Sequence, residues 1–148
     1  MSIVQTATTS FKVELPQGIH NFGPTSPDTF KIALYTAAAD LGYATTAYTT
    51  SGEVTGTNYV AGGNTLTITT TPVAANNSSN VPTAYFSFAN TSWASATFTA
   101  RAALIYNSSE GDKSVAVLDF GSDKTVSNDT FQIIFPTADA NSAIVRIS

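Results

Sequence analysis

His20 is the only histidine of the chain, and it is the first side chain to consider for catalysis or metal binding. One histidine cannot form a multi-histidine metal site, and the chain has no cysteine to supply further ligands. A Ser-His-Asp triad has no fixed chain order, but the Gly-X-Ser-X-Gly motif of one large class of triad enzymes is absent. We therefore interpret His20 as a structural or surface residue.

Acidic residues are concentrated in the second half of the chain, at Glu110, Asp112, Asp119, Asp123 and Asp129. Glycoside hydrolysis requires two carboxyl groups facing each other across a cleft, whereas these residues lie mostly at predicted turns. We interpret them as turn residues that bind their own backbone. A calcium site built from the three aspartates Asp119, Asp123 and Asp129 is the alternative, because Ca²⁺ prefers oxygen ligands. The sequence otherwise predicts no catalytic residue, no metal, no cofactor and no enzymatic activity.

Arg101 is the one charged residue in the middle of a strongly apolar strand pattern. A charge at such a position must reach water or meet a carboxylate. One interpretation is an internal ion pair with Asp119 on the neighbouring hairpin strand. The other is an ion pair between subunits, or an anchor to a partner.

Four aromatic residues fall outside the regular strand patterns: Trp93, Tyr43, Tyr48 and Tyr59. Aromatic side chains on loops can stack on sugars or anchor an interface. Trp93 is interpreted as a core residue at one end of the fold, with contact to a glycan as the alternative. For the tyrosines, burial in an interface and simple surface packing stay open.

The elements that must position these residues are β-strands, because apolar residues alternate with polar ones over most of the chain. The pattern predicts strands at 29–36, around 66–68, and at 83–89, 96–106, 113–120, 129–136 and 142–148. Pro72 is predicted to end the second of them, and an edge strand is expected near 53–61. Polar segments at 106–113 and 120–129 are expected to form hairpin connections. The predicted fold is all-β, a two-sheet antiparallel sandwich of the jelly-roll type.

The N-terminal 22 residues differ from the remainder and are predicted to form an arm, with 23–148 as a single sandwich domain. Phe11, Leu15, Ile19 and Phe22 follow one another at helical spacing. Pro16 interrupts that stripe, so a short helix and an extended segment are both open. We expect these four apolar residues to contact a partner.

Residues 37–63 form the least regular part of the chain. Loops of this length in compact domains are usually functional. Contacts with a partner are therefore also expected here, through Tyr43, Tyr48 and Tyr59.

Composition excludes several classes of function. The net charge is −4, and the six basic residues do not cluster, so nucleic-acid binding is not expected. Apolar runs are too short to span a membrane. The absence of cysteine, together with an N-terminus that does not resemble a secretion signal, predicts synthesis in the host cytoplasm.

Several segments resemble small virion proteins of tailed bacteriophages. The resemblance covers most of the chain outside residues 37–63. Its motifs are Phe-Lys-Val-Glu-Leu at 11–15, Gly-Ile-His-Asn-Phe at 18–22, Asp-Thr-Phe-Lys-Ile-Ala-Leu-Tyr-Thr at 28–36, Thr-Phe-Thr-Ala-Arg-Ala-Ala-Leu-Ile-Tyr-Asn at 97–107, Ala-Val-Leu-Asp-Phe-Gly at 116–121 and Phe-Pro-Thr-Ala-Asp at 135–139.

The group that these segments resemble is the capsid cement, or decoration, proteins. The resemblance implies a β-sandwich homo-oligomer, expected to be a trimer, on the outer surface of an icosahedral head. Its partner would be the major capsid protein, whose neighbouring subunits it bridges. No individual functional residue is implied, because such proteins bind through surfaces.

The alternative is a receptor- or carbohydrate-binding module of a phage tailspike or head fibre. Trp93 and the loop tyrosines motivate this hypothesis, and a glycan of the host surface would then be the ligand. The two functions are compatible, because a protein on the outer shell also meets the host.

Overall fold

A computed structural model describes residues 2–148 and shows two antiparallel sheets packed face to face, with one short α-helix. The predicted all-β sandwich is therefore confirmed. Among the described residues, no helix has the length and apolar character needed to cross a bilayer. The elements are β1 (Thr6–Ala7), α1 (Thr9–Glu14), β2 (Phe30–Tyr35), β3 (Asn64–Thr65), β4 (Ile68–Asn76), β5 (Pro82–Phe88), β6 (Thr91–Asn107), a 3₁₀ turn (Ser108–Glu110), β7 (Lys113–Ile133) and β8 (Val145–Ile147).

The larger sheet has the strand order β1-β7-β6-β2-β3, and the smaller sheet has the order β4-β5-β8. Strand β2 lies inside the larger sheet and is buried on both faces. Phe30, Ile32 and Leu34 face the main core between the sheets. Ala33 and Tyr35 face a second, smaller core on the opposite side. The alternating pattern used to predict this strand would leave its second face exposed to solvent, so that part of the interpretation was wrong.

The second core is covered by the irregular region, which packs back on the larger sheet. Ala39 and Leu41 from this region join Leu104 and Val117 of the sheet in the same cluster. No strand forms at 53–61, where Tyr35↔Glu53 and Thr57↔Thr97 are isolated bridges. The irregular region, residues 37–63, is therefore a cover for one face of the sandwich rather than a free loop, and we call it the cover region.

Strands β6 and β7 form one long hairpin that dominates the larger sheet. Its connection contains the 3₁₀ turn and Gly111 in the left-handed conformation, which agrees with the predicted hairpin. The second predicted connection, at 120–129, was wrong, because β7 continues through it. Register shifts accommodate the polar residues there, and Gly121 has a φ of 77° at the first of them. These residues are polar because they lie at an exposed part of the strand, not because the chain turns.

Pro72 lies inside β4 and does not end it, contrary to the sequence prediction. Strand β4 is an edge strand of the smaller sheet, and its pairing with β5 shifts register between Thr70 and Val73. Proline lacks a backbone N–H and is tolerated in sheets at edges and bulges. Both conditions hold at this position.

The helix α1 resolves the open question about residues 10–22. Thr8 caps its N-terminus, where the hydroxyl accepts a hydrogen bond from the Phe11 backbone N–H. The helix ends at Glu14, before Pro16, because proline inside a helix removes a hydrogen bond and clashes with the preceding turn. The predicted stripe is helical only in its first part.

The boundary predicted after residue 22 does not separate two packing units. Phe11 and Phe22 belong to the main core between the sheets. Phe22 lies between the two sheets, because its ring centroid is 4.1 Å from that of Phe30 in β2 and 4.0 Å from that of Phe86 in β5. Only the part preceding α1 runs along the outside, where β1 pairs with β7.

Candidate functional site

His20 lies in a buried polar network. Its Nε2 is 2.8 Å from Glu14 Oε2, and its Nδ1 is 3.0 Å from Nδ2 of Asn107. The Asn107 amide also donates to Asp28 Oδ2 at 2.8 Å, and its Oδ1 accepts from the Ser109 backbone. Since Asn107 Nδ2 is a donor, His20 Nδ1 accepts and Nε2 carries the proton donated to Glu14.

The network connects elements that are far apart in the sequence. His20 and Glu14 belong to the N-terminal segment, and Asn107 ends β6. Both His20 nitrogens are occupied by these partners, so neither contacts a serine or threonine nucleophile. This arrangement agrees with the structural interpretation of His20. Its effect is to fasten α1 and the following loop to the sandwich.

A second polar cluster, the tyrosine cluster, surrounds Glu53 in the cover region. Glu53 Oε1 accepts hydrogen bonds from Tyr59 Oη and Gly62 N, each at 2.7 Å. Glu53 Oε2 accepts from Tyr48 Oη at 2.6 Å. The cluster is completed by Tyr106, which stacks on Tyr48 with ring centroids 4.8 Å apart and donates to the Gly62 carbonyl.

The tyrosine cluster attaches the cover region to the sheet. Tyr59 Oη also accepts a hydrogen bond from Leu34 N of β2 at 2.8 Å. Tyr35, on the same strand, donates to the Thr49 carbonyl at 2.7 Å. These bonds run from β2 to both halves of the cover region. Tyr48 and Tyr59 therefore have internal roles that the sequence analysis did not identify.

Burial raises the pKa of the tyrosines in and beside this cluster, and the negative charge of Glu53 raises it further. The pKa of Tyr106 rises to about 12, and the pKa values of Tyr35, Tyr48 and Tyr59 rise beyond the usual range. The unfolded chain loses these protons near the ordinary value of 10.0. The folded state therefore holds protons that the unfolded state releases.

We expect the free energy of unfolding to be constant from about pH 8 to about pH 10 and to fall above that. The fall occurs because the tyrosine hydroxyls ionise in the unfolded state but stay protonated in the folded state. Urea unfolding at several pH values, followed by circular dichroism, measures this decline. Tyr48→Phe removes one of the groups, so its decline with pH should be shallower. Tyr43→Phe is the control, because Tyr43 is 65% exposed and lies outside the cluster. Equal slopes for all three chains would contradict this account.

The acidic residues of the second half do not converge. Asp119 Oδ1 accepts hydrogen bonds from the Gly121 backbone and from Arg101 Nε, the latter at 3.2 Å. These two bonds, the backbone one first, lower the Asp119 pKa. Within residues 2–148, no three His, Cys, Asp or Glu side chains are placed to hold a metal ion. The calcium alternative therefore has no geometric support.

The predicted internal pair between Arg101 and Asp119 is confirmed. Both side chains are partly exposed, at 31% and 25%. A pair in such a position contributes little to stability because water screens it. Whether Arg101 also contacts a partner is a separate prediction.

The remaining interface candidates divide by burial. Phe11, Phe22 and Tyr59 are buried within this chain, so their side chains are not available to a partner. Leu15, Ile19 and Tyr48 are half-buried, and Tyr43 is exposed. Trp93 is only 5% exposed and packs near Phe131, which agrees with its interpretation as a core residue. That burial leaves the glycan alternative without its main residue.

Two large apolar side chains are exposed where the N-terminal segment meets the cover region. We call this place the arm surface and define it by Val4 and Tyr43, which are 44% and 65% exposed. Hydrogen bonds from Val4 N to Leu41 O at 2.9 Å and from Leu41 N to Ser2 O at 2.8 Å fix the backbone below them. A cavity of about 420 Å³ lies between the two segments.

Tyr43 is among the residues predicted from the sequence, whereas Val4 and Glu53 are not. Glu53 is the only acidic residue between Asp40 and Glu110, in a segment rich in tyrosine and glycine. That isolation was a usable signal, because an isolated acid among tyrosines is a natural hydrogen-bond acceptor for them. Val4 carries no comparable signal, since a single apolar residue in a polar segment is common.

Comparison of the chain with protein-family models, with curated proteins and with solved structures finds no match.

Proposed function

We propose that this chain is a structural protein of a phage virion, which decorates the outer surface of the icosahedral head and cements neighbouring major capsid subunits. The observation that carries the proposal is the arm surface. It offers exposed apolar side chains on a backbone held by hydrogen bonds. The sequence resemblance to decoration proteins supports the same conclusion.

The contrast between interior and surface favours adhesion over chemistry. His20 and the tyrosine cluster, which contain the groups best suited to proton transfer, are bound to other parts of the same chain. The side chains of Val4 and Tyr43 are exposed instead. A rigid body with a preformed apolar contact loses little conformational freedom on binding, which improves affinity.

Attachment in many copies requires only modest affinity for each contact. An oligomer that bridges several capsid subunits gains from effective concentration, because the second contact becomes intramolecular. A trimer would match the threefold positions of an icosahedral shell, and closed cyclic symmetry is the usual form of an oligomer. Separation of capsid subunits would then have to break several contacts together.

Removal of the arm surface is expected to weaken attachment without unfolding the sandwich. Val4→Ser combined with Tyr43→Ser should lower affinity for undecorated heads by about 10-fold or more, as expected for the loss of a central apolar contact. Cosedimentation of purified protein with heads that lack it measures the affinity.

The matched control is Val60→Ser, because Val60 is 76% exposed but lies outside the arm surface. Circular dichroism of each variant checks that the fold is intact. Unchanged attachment of the double variant would contradict the role of the arm surface. If the parent chain also fails to attach to heads, the proposed function itself is contradicted.

A further inference from the structure

Both sheets of the sandwich end on the same side, and a cleft lies between their last strands. Strand β1 ends the larger sheet and β8 ends the smaller one. The cleft has a volume of about 450 Å³ and is open to solvent. Its lining comes from both end strands and from neighbouring parts of β7 and the hairpin β4–β5, including Thr6, Asn77, Leu118, Ile144 and Arg146.

Within residues 2–148, the main-chain groups on the outer edge of β8 make no hydrogen bond. Among the strands that the structure describes, β1 pairs only with β7, and β8 pairs only with β5. Within residues 2–148, no backbone hydrogen bond joins β8 to anything outside its sheet. Unpaired N–H and C=O groups at a sheet edge are a template for one more strand. The natural ligand of such an edge is an extended polypeptide.

A second, more apolar groove continues from this cleft along α1. Its volume is about 390 Å³, and Phe11, Leu15, Val145 and Ile147 contribute to its walls. Ile147 is 48% exposed although it belongs to a strand. Apolar side chains of an added strand would be buried here.

Two basic side chains line the grooves, in a chain whose net charge is −4. Arg146 lines both, Lys12 lines the second, and neither lining contains an aspartate or glutamate. In the described part of the chain, neither cation is in an ion pair with an acidic side chain. The Arg146 guanidinium donates to the Asn141 carbonyl, which holds it beside the cleft.

We propose that this cleft binds an extended, acidic segment of another polypeptide, which adds to the smaller sheet as a strand beside β8. Main-chain hydrogen bonds to β8 hold the segment, and its apolar side chains pack on Leu15 and Ile147. Its carboxylates face Arg146 and Lys12. The proposal does not depend on the capsid assignment, because it follows from the edge and its charges alone.

A synthetic peptide tests the proposal on the full-length chain. The probe is a blocked peptide of about seven residues in which valine alternates with glutamate and aspartate, so that one face is apolar when it is extended. The control peptide carries lysine in place of each acid. Nuclear magnetic resonance follows the backbone amides of Val145, Arg146 and Ile147 during titration, and hydrogen exchange follows their protection.

We expect the acidic peptide to shift and protect the amides of β8, and the lysine peptide to bind at least about 10-fold more weakly, because charge-assisted contacts to both cations are lost. Lys12→Ser with Arg146→Ser should cost the acidic peptide a similar factor. The control variant is Lys113→Ser with Lys124→Ser, which removes the same charge elsewhere and should bind normally.

Three results would overturn the proposal. If the acidic peptide does not change the chemical shifts of the β8 amides, then the exposed edge of β8 does not bind an added strand. With equal binding of both peptides, the cations do not select the ligand. If the amides of β8 are protected in the free chain at high concentration, and light scattering shows a dimer, then the occupant is a second copy.

Discussion

Phe22→Ala is expected to lower the free energy of unfolding by about 3–5 kcal/mol, the range observed when a buried phenylalanine is truncated in a well-packed core. Phe22 is 3% exposed and lies between the two sheets, against Phe30 and Phe86. Truncation removes these contacts and leaves a cavity that both sheets border. Urea unfolding, with the midpoint and slope fitted together, measures the loss.

The control for this experiment is Phe120→Ala, because Phe120 is only half-buried and packs against the main core from outside. We expect it to cost about 1 kcal/mol, as for a typical substitution that does not create a closed cavity. If Phe22→Ala costs no more than the control, residues 1–22 are a detachable arm, as the sequence pattern predicted. A large loss means that the N-terminal segment is part of the core.

Glu53→Ala is expected to lower the free energy of unfolding by about 3 kcal/mol, since a hydrogen bond to a charged acceptor contributes about 1.5–3 kcal/mol and several are lost together. The substitution leaves the hydroxyls of Tyr48 and Tyr59 without their acceptor. It also frees the Gly62 N–H. The cover region should then open before the sandwich unfolds, which hydrogen exchange would show as lost protection around residues 48–62.

Two control variants accompany this experiment. Glu53→Gln removes the charge but keeps a hydrogen-bond acceptor, and Glu110→Ala shows the general effect of removing a glutamate. The amide introduced by Glu53→Gln keeps one acceptor oxygen, so we expect a smaller loss of about 1 kcal/mol. Glu110 lies in the 3₁₀ turn, outside the tyrosine cluster, and its removal should change stability by less than about 0.5 kcal/mol. Equal losses for Glu53→Ala and Glu110→Ala would show that the tyrosine cluster does not hold the cover region.

The strands that could be predicted are those with one buried face and one exposed face. Between Ala96 and Ala100, buried and more exposed residues alternate along β6, as such a surface requires. In β7 the signal failed, since exposed polar residues in a long strand have the same composition as a turn. A polar composition indicates that a segment is exposed to solvent. It does not distinguish an exposed stretch of strand from a loop, because both are exposed.

The cover region could not be predicted because its stabilising contacts join residues far apart in the sequence. Leu41 packs with Leu104 and Val117, and Tyr59 accepts a hydrogen bond from Leu34 N. No local periodicity encodes such contacts. The sequence therefore favours a partner-binding loop, whereas most of the apolar and tyrosine side chains of this region contact the same chain.

The candidate site shows the same division. The pair of Arg101 and Asp119 could be predicted because adjacent strands of a hairpin bring them together. The contact between His20 and Asn107 could not, since the two residues are 87 positions apart in the sequence. Tyr43 could be predicted from its residue type and its position in a long loop. The arm surface could not, because only the structure shows that residues 2–4 lie beside the segment that contains Tyr43.

We propose that the chain attaches to the outer surface of a phage head and bridges neighbouring capsid subunits. Electron cryomicroscopy of undecorated heads mixed with the purified chain would show where it attaches. We predict added density of the size of this sandwich over the junctions between capsid subunits, repeated with the icosahedral symmetry of the shell. Density at a tail or fibre tip, or heads that remain bare, would contradict it.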